Sequence, residues 1–351
     1  GVLRQAARPV GAAMTRPIVG IGEVLWDVFP DGRAVAGGAP FNFAFHCTRL
    51  GHPGVIVSRV GDDDRGRALR DEVRRLGMTD EYIQTDRKRP TGTVTVTVDA
   101  AGQPSYEITE NVAWDAIEWD EQTARLAQAA DVICYGSLVQ RTMTPRDTIR
   151  RLLRNAAGFD EASDGVLSQP AWLFEGEPPD WSKKLVVFDV NLRQHYYDRD
   201  LIRAAARRAN WLKLNDDELA VFADLFAFDS DSDALAQLDR VGDMAWGVIC
   251  LTRGAAGCRV RWSEWLKGAP SPADAVRSHE FDEPAPPARV VDTVGAGDAF
   301  TAAMVCLHLE GRSLRDCARF AAHYAARVCE HRGGTPLIDR AEVERAAFGS
   351  S

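Results

Sequence analysis

Short apolar runs separated by longer stretches of helical periodicity set the plan of this chain. Ile18-Val19-Gly20-Ile21-Gly22, Val55 to Val60, Val132-Ile133-Cys134-Tyr135-Gly136, Leu185 to Val190, Trp211 to Leu214 and Val248 to Thr252 are largely apolar and end in glycine or a polar residue. A strand that is apolar at successive positions is covered on both faces, as in a parallel sheet held between two helical layers. Between these runs, residues 64–76, 121–130, 146–156 and 216–226 carry a helical pattern. The alternation predicts an α/β domain built on a doubly wound, mostly parallel sheet flanked by helices.

One segment departs from that plan. Residues 91–98 read Thr-Gly-Thr-Val-Thr-Val-Thr-Val, Ala101-Gly102 offers a turn, and Ser105 to Thr109 continue as a second strand. A half-polar hairpin does not belong in a doubly covered sheet. It predicts a small antiparallel β lid over one edge of the domain, and a plain surface hairpin fits the same pattern. Gly158 to Ser182, acidic and proline-containing, and Ser263 to Pro287, rich in proline, read as surface insertions. The first fifteen residues lack the continuous apolar block of a secretory signal. They read as a flexible N-terminal extension (residues 1–15) with Met14 as the natural start, ahead of a domain over 16–345 whose lid draws on about 28–38 and 91–112.

Composition narrows the partners. No run approaches the roughly 20 apolar residues that cross a bilayer, and a net charge of −9 leaves no general affinity for nucleic acid or anionic membrane. An anionic ligand must then be held by local positive features. The seven cysteines show neither a CxxC pair nor metal-ligand spacing, which makes a reduced, cytoplasmic setting the expectation.

The candidate chemistry sits in two glycine-rich turns. In Val291-Asp292-Thr293-Val294-Gly295-Ala296-Gly297-Asp298-Ala299-Phe300, an amphipathic helix follows Gly297, with Phe300, Ala303, Met304 and Leu307 on one face and Gly311 as its stop. Gly295, Ala296 and Gly297 expose backbone N–H groups at a helix N-terminus that adds about half a positive charge, a cradle for phosphate. Asp298, in the first turn, is either a helix-terminus charge or the base for an attacking hydroxyl, its pKa kept low by the helix field. Near the other end, Ala36-Gly37-Gly38-Ala39-Pro40-Phe41-Asn42 puts glycines before a second helix, with Asp27 upstream. Gly37 and Gly38 let the backbone approach a ligand, while Asp27 and Asn42 offer an acceptor and a mixed donor and acceptor to sugar hydroxyls; a Gly-Gly turn capping a helix is the plainer alternative.

These motifs resemble the PfkB (ribokinase-like) family of carbohydrate kinases from about Pro17 to Leu337, and Gly22-Glu23-Val24-Leu25-Trp26-Asp27-Val28-Phe29-Pro30 is most similar to its bacterial fructokinase branch. The resemblance implies a ribokinase-like fold, ATP and Mg²⁺ as cofactors, Asp298 as base with Gly295, Ala296 and Gly297, and a sugar held by Asp27, Gly37, Gly38 and Asn42. Between the glycine turns, Asp189-Val190-Asn191-Leu192-Arg193 places an arginine to reach a transferring phosphate or an acidic sugar. Lys213-Leu214-Asn215-Asp216-Asp217-Glu218 ends a strand and opens a helix. There Asn215 and Glu218 either orient a hydrated Mg²⁺, as the resemblance implies, or form a capping box, or do both. The resemblance also puts Lys213, Thr252, Gly254 and Gly257 on the nucleotide side, and a monovalent cation such as K⁺ at the backbone of Asp292 and Val294. Residues 322–336 would cover adenine, although Ala322 stands where relatives often have asparagine.

Three readings follow. The first is a fructokinase making fructose 6-phosphate. The second is a kinase of the same fold acting on 2-keto-3-deoxygluconate, ribose or a nucleoside, for which Phe41, Phe43 and Trp114 offer aromatic surface. The third is a non-catalytic sugar or nucleotide sensor. A small-molecule sugar is the expected partner, and an exposed lid strand could pair two copies into a homodimer.

Overall fold

A computed structural model describes residues 16–98, 104–156, 184–230, 233–241, 247–265 and 276–349. The expected extension over 1–15, the turn at Ala101-Gly102 and the insertion from Gly158 to Ser182 lie outside the described residues. In chain order the elements are β1 (Ile18–Ile21), β2 (Leu25–Val28), β3 (Ala34–Gly37), α1 (Ala39–Arg49), β4 (Gly54–Gly61), α2 (Asp64–Arg75), β5 (Ile83–Asp86), β6 (Thr93–Val98), β7 (Pro104–Ile108), α3 (Glu121–Ala129), β8 (Val132–Tyr135) and α4 (Met143–Ala156). They continue with β9 (Leu185–Asp189), α5 (Arg199–Ala206), β10 (Trp211–Asn215), α6 (Asp216–Phe226), α7 (Ala234–Val241), β11 (Val248–Thr252), β12 (Cys258–Trp265), β13 (Val276–Glu283), α8 (Ala296–Leu309), α9 (Leu314–Cys329) and α10 (Arg340–Phe348).

The large sheet runs in the order β13-β12-β11-β10-β9-β8-β1-β4-β5. From β11 through β5 every pairing is parallel, and β12 and β13 add an antiparallel edge. Successive side chains of one strand point to opposite faces, so Ile133 and Tyr135 enter one apolar layer while Val132 and Cys134 enter the other. Val186 and Phe188 divide from Leu185 and Val187 in the same way. Helices α3 to α7 cover the first face, and α1, α8, α9 and α10 cover the second. Each fully buried large side chain contributes roughly 1.5–3 kcal/mol of transfer free energy, which explains why the central strands tolerate so few polar positions.

The small sheet has the order β3-β2-β6-β7. Its outer pairs are antiparallel, as the alternating hairpin predicts, but β2 and β6 pair in parallel, with Asp27 opposite Val94. Those two strands belong to separate excursions from the large sheet, one after β1 and one after β5, and leave it in the same direction. Two other expectations need correction. Ser263 to Pro287 is not simply a surface insertion: it contains the end of β12 and all of β13, whose Phe281 packs into the core while its polar neighbours face out. Helix α8 is buried on almost every side instead of along one stripe, because α1 and α9 both pack against it.

The carboxyl ends of the parallel strands gather polar residues on one side of the large sheet. Glu23 follows β1, Asp189 ends β9, Asn215 ends β10, and Thr252 ends β11 beside it. Crevices outside those ends, where the strand order reverses about β1, are where open α/β sheets bind ligands. Among the described residues no helix is long and apolar enough to cross a membrane.

Candidate active site

Helix α8 begins at the centre of that crevice. Its N-cap, Gly295, has a left-handed φ of 75°, and a Cβ there would lie 2.5 Å from Gly334 Cα. A Cβ on Gly334 would in turn meet the Asn42 amide nitrogen at 2.6 Å. The Gly334 carbonyl accepts from His46 Nε2 at 2.9 Å, and His46 Nδ1 accepts from the Tyr324 hydroxyl at 3.1 Å. Burial pushes the His46 pKa down to about 4, so the ring is neutral, with one nitrogen to donate and one to accept. The two glycine turns and the loop after α9 therefore meet at one point.

Asn42, on α1, donates from Nδ2 to Asp298 Oδ2 at 2.8 Å, and no other donor reaches that carboxylate among the described residues. Asn42 itself is 4% exposed, and its Oδ1 is buried without a donor. An orphaned buried acceptor beside a carboxylate is a place where a ligand hydroxyl would be taken up. Burial and repulsion from Asp189 lift the Asp298 pKa to about 6, against the opposing pull of Lys213, Asn42 and Arg193. This reverses the expectation that the helix field keeps it low. Desolvation and a neighbouring carboxylate outweigh the helix terminus.

Beneath the first turn of α8 lies Lys213, on β10. A Cβ on Gly297 would come within 2.8 Å of its Nζ, so the ammonium occupies the space that a side chain there would need. Nζ is 3.0 Å from Asp189 Oδ1, and Asp189 Oδ2 accepts from Thr301 Oγ1 at 2.8 Å. Burial opposes the ammonium's charge, yet the carboxylates of Asp189, Glu218 and Asp298 prevail and push its pKa up. A positive charge held beneath the N-terminus of α8 makes this turn a fitting seat for phosphate, although the Ala296 N–H already donates to the Thr293 carbonyl at 3.3 Å.

On the other wall, Asp27 of β2 lies against Gly37, where a Cβ would meet Asp27 Oδ2 at 2.6 Å. Burial raises the Asp27 pKa to about 6; Arg193 opposes the shift and Asp292 adds to it. Gly38, at φ 119°, packs against the Glu23 backbone, and the Glu23 carboxylate accepts from Ala39 N–H at 3.1 Å. Burial lifts Glu23 to about 7, despite those backbone N–H groups and Arg193. Arg193 is exposed, in a loop whose Asn191 and Gln194 adopt left-handed conformations, and its charge is felt by Glu23, Asp27 and Asp298 alike.

Asn215 and Glu218 realise the capping box. Asn215 Oδ1 accepts from Glu218 N–H at 2.8 Å and Glu218 Oε2 from Asn215 N–H at 2.9 Å, while Glu218 Oε1 takes Leu192 N–H at 3.0 Å. Glu218 thus also anchors the loop that carries Arg193. Thr252 sits beside Asn215 in the register of β10 and β11. Gly257, at φ 89°, closes the turn into β12 against the backbone of residues 283–285, and Gly254 faces open space. The Asp292 carboxylate accepts from Val294 N–H at 3.1 Å and Gly333 N–H at 2.9 Å, joining the approach to α8 to the loop after α9. Phe41, Phe43 and Trp114 are core residues and offer no aromatic wall to a ligand.

The pattern of the pfkB family carbohydrate kinases matches residues 27–184 and 180–340. The chain belongs to that family. Among relatives of this pfkB kinase, an uncharacterised sugar kinase from Pyrococcus horikoshii is 27% identical over 314 residues, covering 86% of this chain and 84% of the other. Fructokinase of Klebsiella pneumoniae is 26% identical over 297 residues, 81% of this chain and 82% of that protein. Among solved structures, fructokinase with bound ATP from Xylella fastidiosa superposes with a TM-score of 0.72 at 20% identity, covering 94% of this chain and 98% of that one. Ribokinase of Arabidopsis thaliana, complexed with ribose and ATP, gives 0.72 at 20%, covering 96% and 100%. The fold of this pfkB kinase is accordingly ribokinase-like. Sequence reading gave no role to Glu23, His46, Asp189, Thr301 or Gly334. Their only signal was a polar residue or glycine inside an apolar helix, at a strand end or within an already quoted motif.

Proposed function

We propose that this sugar kinase uses ATP, that Asp298 is its general base, and that fructose is its substrate, phosphorylated to fructose 6-phosphate. The observation that carries the reading is the Asn42–Asp298 hydrogen bond of 2.8 Å, which unites the two glycine turns around one carboxylate. With a pKa of about 6, Asp298 is ionised at neutral pH and is a stronger base than an ordinary aspartate. The sugar would lie between Asp27, Gly37, Gly38, Asn42 and Asp298, under the small sheet. Its hydroxyl oxygen bonds to the γ-phosphorus, the bond from that phosphorus to the β–γ bridging oxygen breaks, ADP leaves, and the hydroxyl proton passes to Asp298. Gly295, Ala296 and Gly297, with Lys213 below, stabilise charge on the transferring group.

The nucleotide would run past Lys213, Asn215, Glu218, Thr252 and Gly254, with Gly257 acting through the turn it shapes. Both Glu218 oxygens already accept backbone N–H groups. Glu218 would therefore hold Mg²⁺ through water, and the ion would supply positive charge to the nucleotide phosphates. Potassium at the main chain of Asp292 and Val294 belongs to the same proposal. Fructose is supported by the names of the relatives. The exposed Arg193 among three cleft carboxyls favours a second reading, the sugar acid 2-keto-3-deoxygluconate. Membership of a kinase family argues against a sensor.

An ADP-release assay over fructose, ribose, 2-keto-3-deoxygluconate and adenosine separates the readings. The highest kcat/KM is expected for fructose, and a preference for the sugar acid would transfer the assignment. Asp298→Asn should lower kcat by about 10²–10⁴-fold with ATP binding retained, and kcat/KM of the native enzyme should fall as pH drops below about 6. Near-normal phosphorylation by Asp298→Asn removes the residue from the base role.

A further inference from the structure

We propose that Asp189 is a positioning residue for phosphoryl transfer: it clamps Lys213 beneath the first turn of α8 and so keeps that ammonium from pairing with Asp298. The two carboxylate oxygens of Asp189 are divided between Lys213 Nζ, at 3.0 Å, and Thr301 Oγ1, at 2.8 Å. Thr301 also stands 3.0 Å from the Gly297 carbonyl, so the clamp is fastened to the turn it serves. Asp189, Lys213 and Thr301 are 6%, 6% and 2% exposed, and an ion pair this far from solvent is weakly screened.

The carboxylates that act on Lys213 are those of Asp189, Glu218 and Asp298. Glu218 is committed to two backbone N–H groups. Among the described residues Asp298 has only the Asn42 amide, and it follows Gly297, whose missing Cβ leaves the room that Lys213 fills. If Asp189 loses its charge, the carboxylate left to attract the ammonium without two backbone donors of its own is therefore the base itself. A base held in an ion pair is a weaker base, and the phosphate seat loses the charge beneath it. Asp189 thus divides the labour of two groups that would otherwise neutralise each other.

This inference rests on the reading of Asp298 as base, and the test separates the two. Charges that face Asp298 are Asp189 of β9, Lys213 of β10, Arg193 of the loop after β9, and Glu23 after β1. Asp189→Asn should lower kcat by about 10²-fold, the scale of a small misplacement of reacting groups, with KM for ATP and sugar changed less than about threefold. The acid limb of its pH profile should move to lower pH. Lys213→Met alone should also be slow, and adding Asp189→Asn to it should cost no more than about twofold further, because the two act as one unit.

A kcat in folded Asp189→Asn within about threefold of the native value overturns the proposal, as does an undiminished loss in the Lys213→Met background. If Asp189→Asn fails to fold by circular dichroism, Thr301→Val carries the test: it keeps the shape and removes one clamp bond. It should lower kcat roughly tenfold with a smaller shift of the acid limb in the same direction, because Asp189 keeps its charge, and an unchanged rate and limb overturn the proposal. Asp298→Asn is measured in parallel. Turnover in that variant sinks the base reading; its loss together with a normal Asp189→Asn sinks only the present inference.

Discussion

At the scale of single residues, burial governs the charges of this cleft. Glu23, 4% exposed, is lifted from 4.5 to about 7 by desolvation. Its folded pKa exceeds its unfolded one, so the folded chain binds the extra proton between those values. The stability it contributes is complete below about pH 4 and is lost as pH rises through about 7. Glu23→Gln keeps an acceptor for Ala39 N–H and removes the titration. It should stabilise the protein at pH 8 relative to pH 5 by about 1–3 kcal/mol, read from urea unfolding at both pH values. An equal effect at the two pH values would show that Glu23 does not titrate in this range. Asp298 and Asn42 were legible in the sequence because glycine turns announce them. Glu23, Asp189 and Thr301 were not, since a polar residue next to an apolar run reads as a boundary until its partner from another element is known.

Elements show the same division. Residues 216–226 form α6 as their pattern predicts, and the parallel strands match their apolar runs within a residue or two except β5, whose polar Gln84, Thr85 and Asp86 gave no such run. Strand β13 escaped because an edge strand buries few positions, so its hydrophobic signal is thin. Helix α8 misled in the other direction: its apolar stripe is visible, but its small residues also pack against α1 and α9. The entry to α8 is equally tight. Gly295→Ala would force an L side chain to φ 75° and into Gly334 Cα at 2.5 Å. It should destabilise the protein by about 1–3 kcal/mol and weaken ATP binding severalfold, measured by thermal unfolding and nucleotide titration. Native stability with unaltered ATP affinity would show that the turn has slack.

Across the whole molecule, the small sheet is joined to the loop that carries Arg193. Gln194 Nε2 donates to the Tyr106 carbonyl at 2.9 Å, and the Tyr196 hydroxyl donates to Glu110 Oε1 at 2.8 Å. Arg141 adds a bond from its guanidinium to the Thr109 carbonyl at 2.8 Å while paired with Asp115. The small sheet and the arginine are thus tied together. The double variant Gln194→Ala/Tyr196→Phe should raise KM for the sugar severalfold and leave kcat within about threefold if the small sheet covers the sugar as proposed, because it loosens that sheet and leaves Asp298 in place. Equal losses in kcat and kcat/KM would place these residues in the chemical step instead.

The contact between Asn42 and Asp298 spans 256 positions of sequence. A ribosome delivers α1 long before α8, and Gly334, which lies between them, emerges later still. Under the proposed function, the nascent chain therefore holds Asn42 without its base, and the cleft is completed only when the last helices dock. Such distant pairing makes for slow maturation. It also means that a chain stopped before residue 298 leaves one face of the large sheet without α8, α9 and α10, and under the proposed function it has no base.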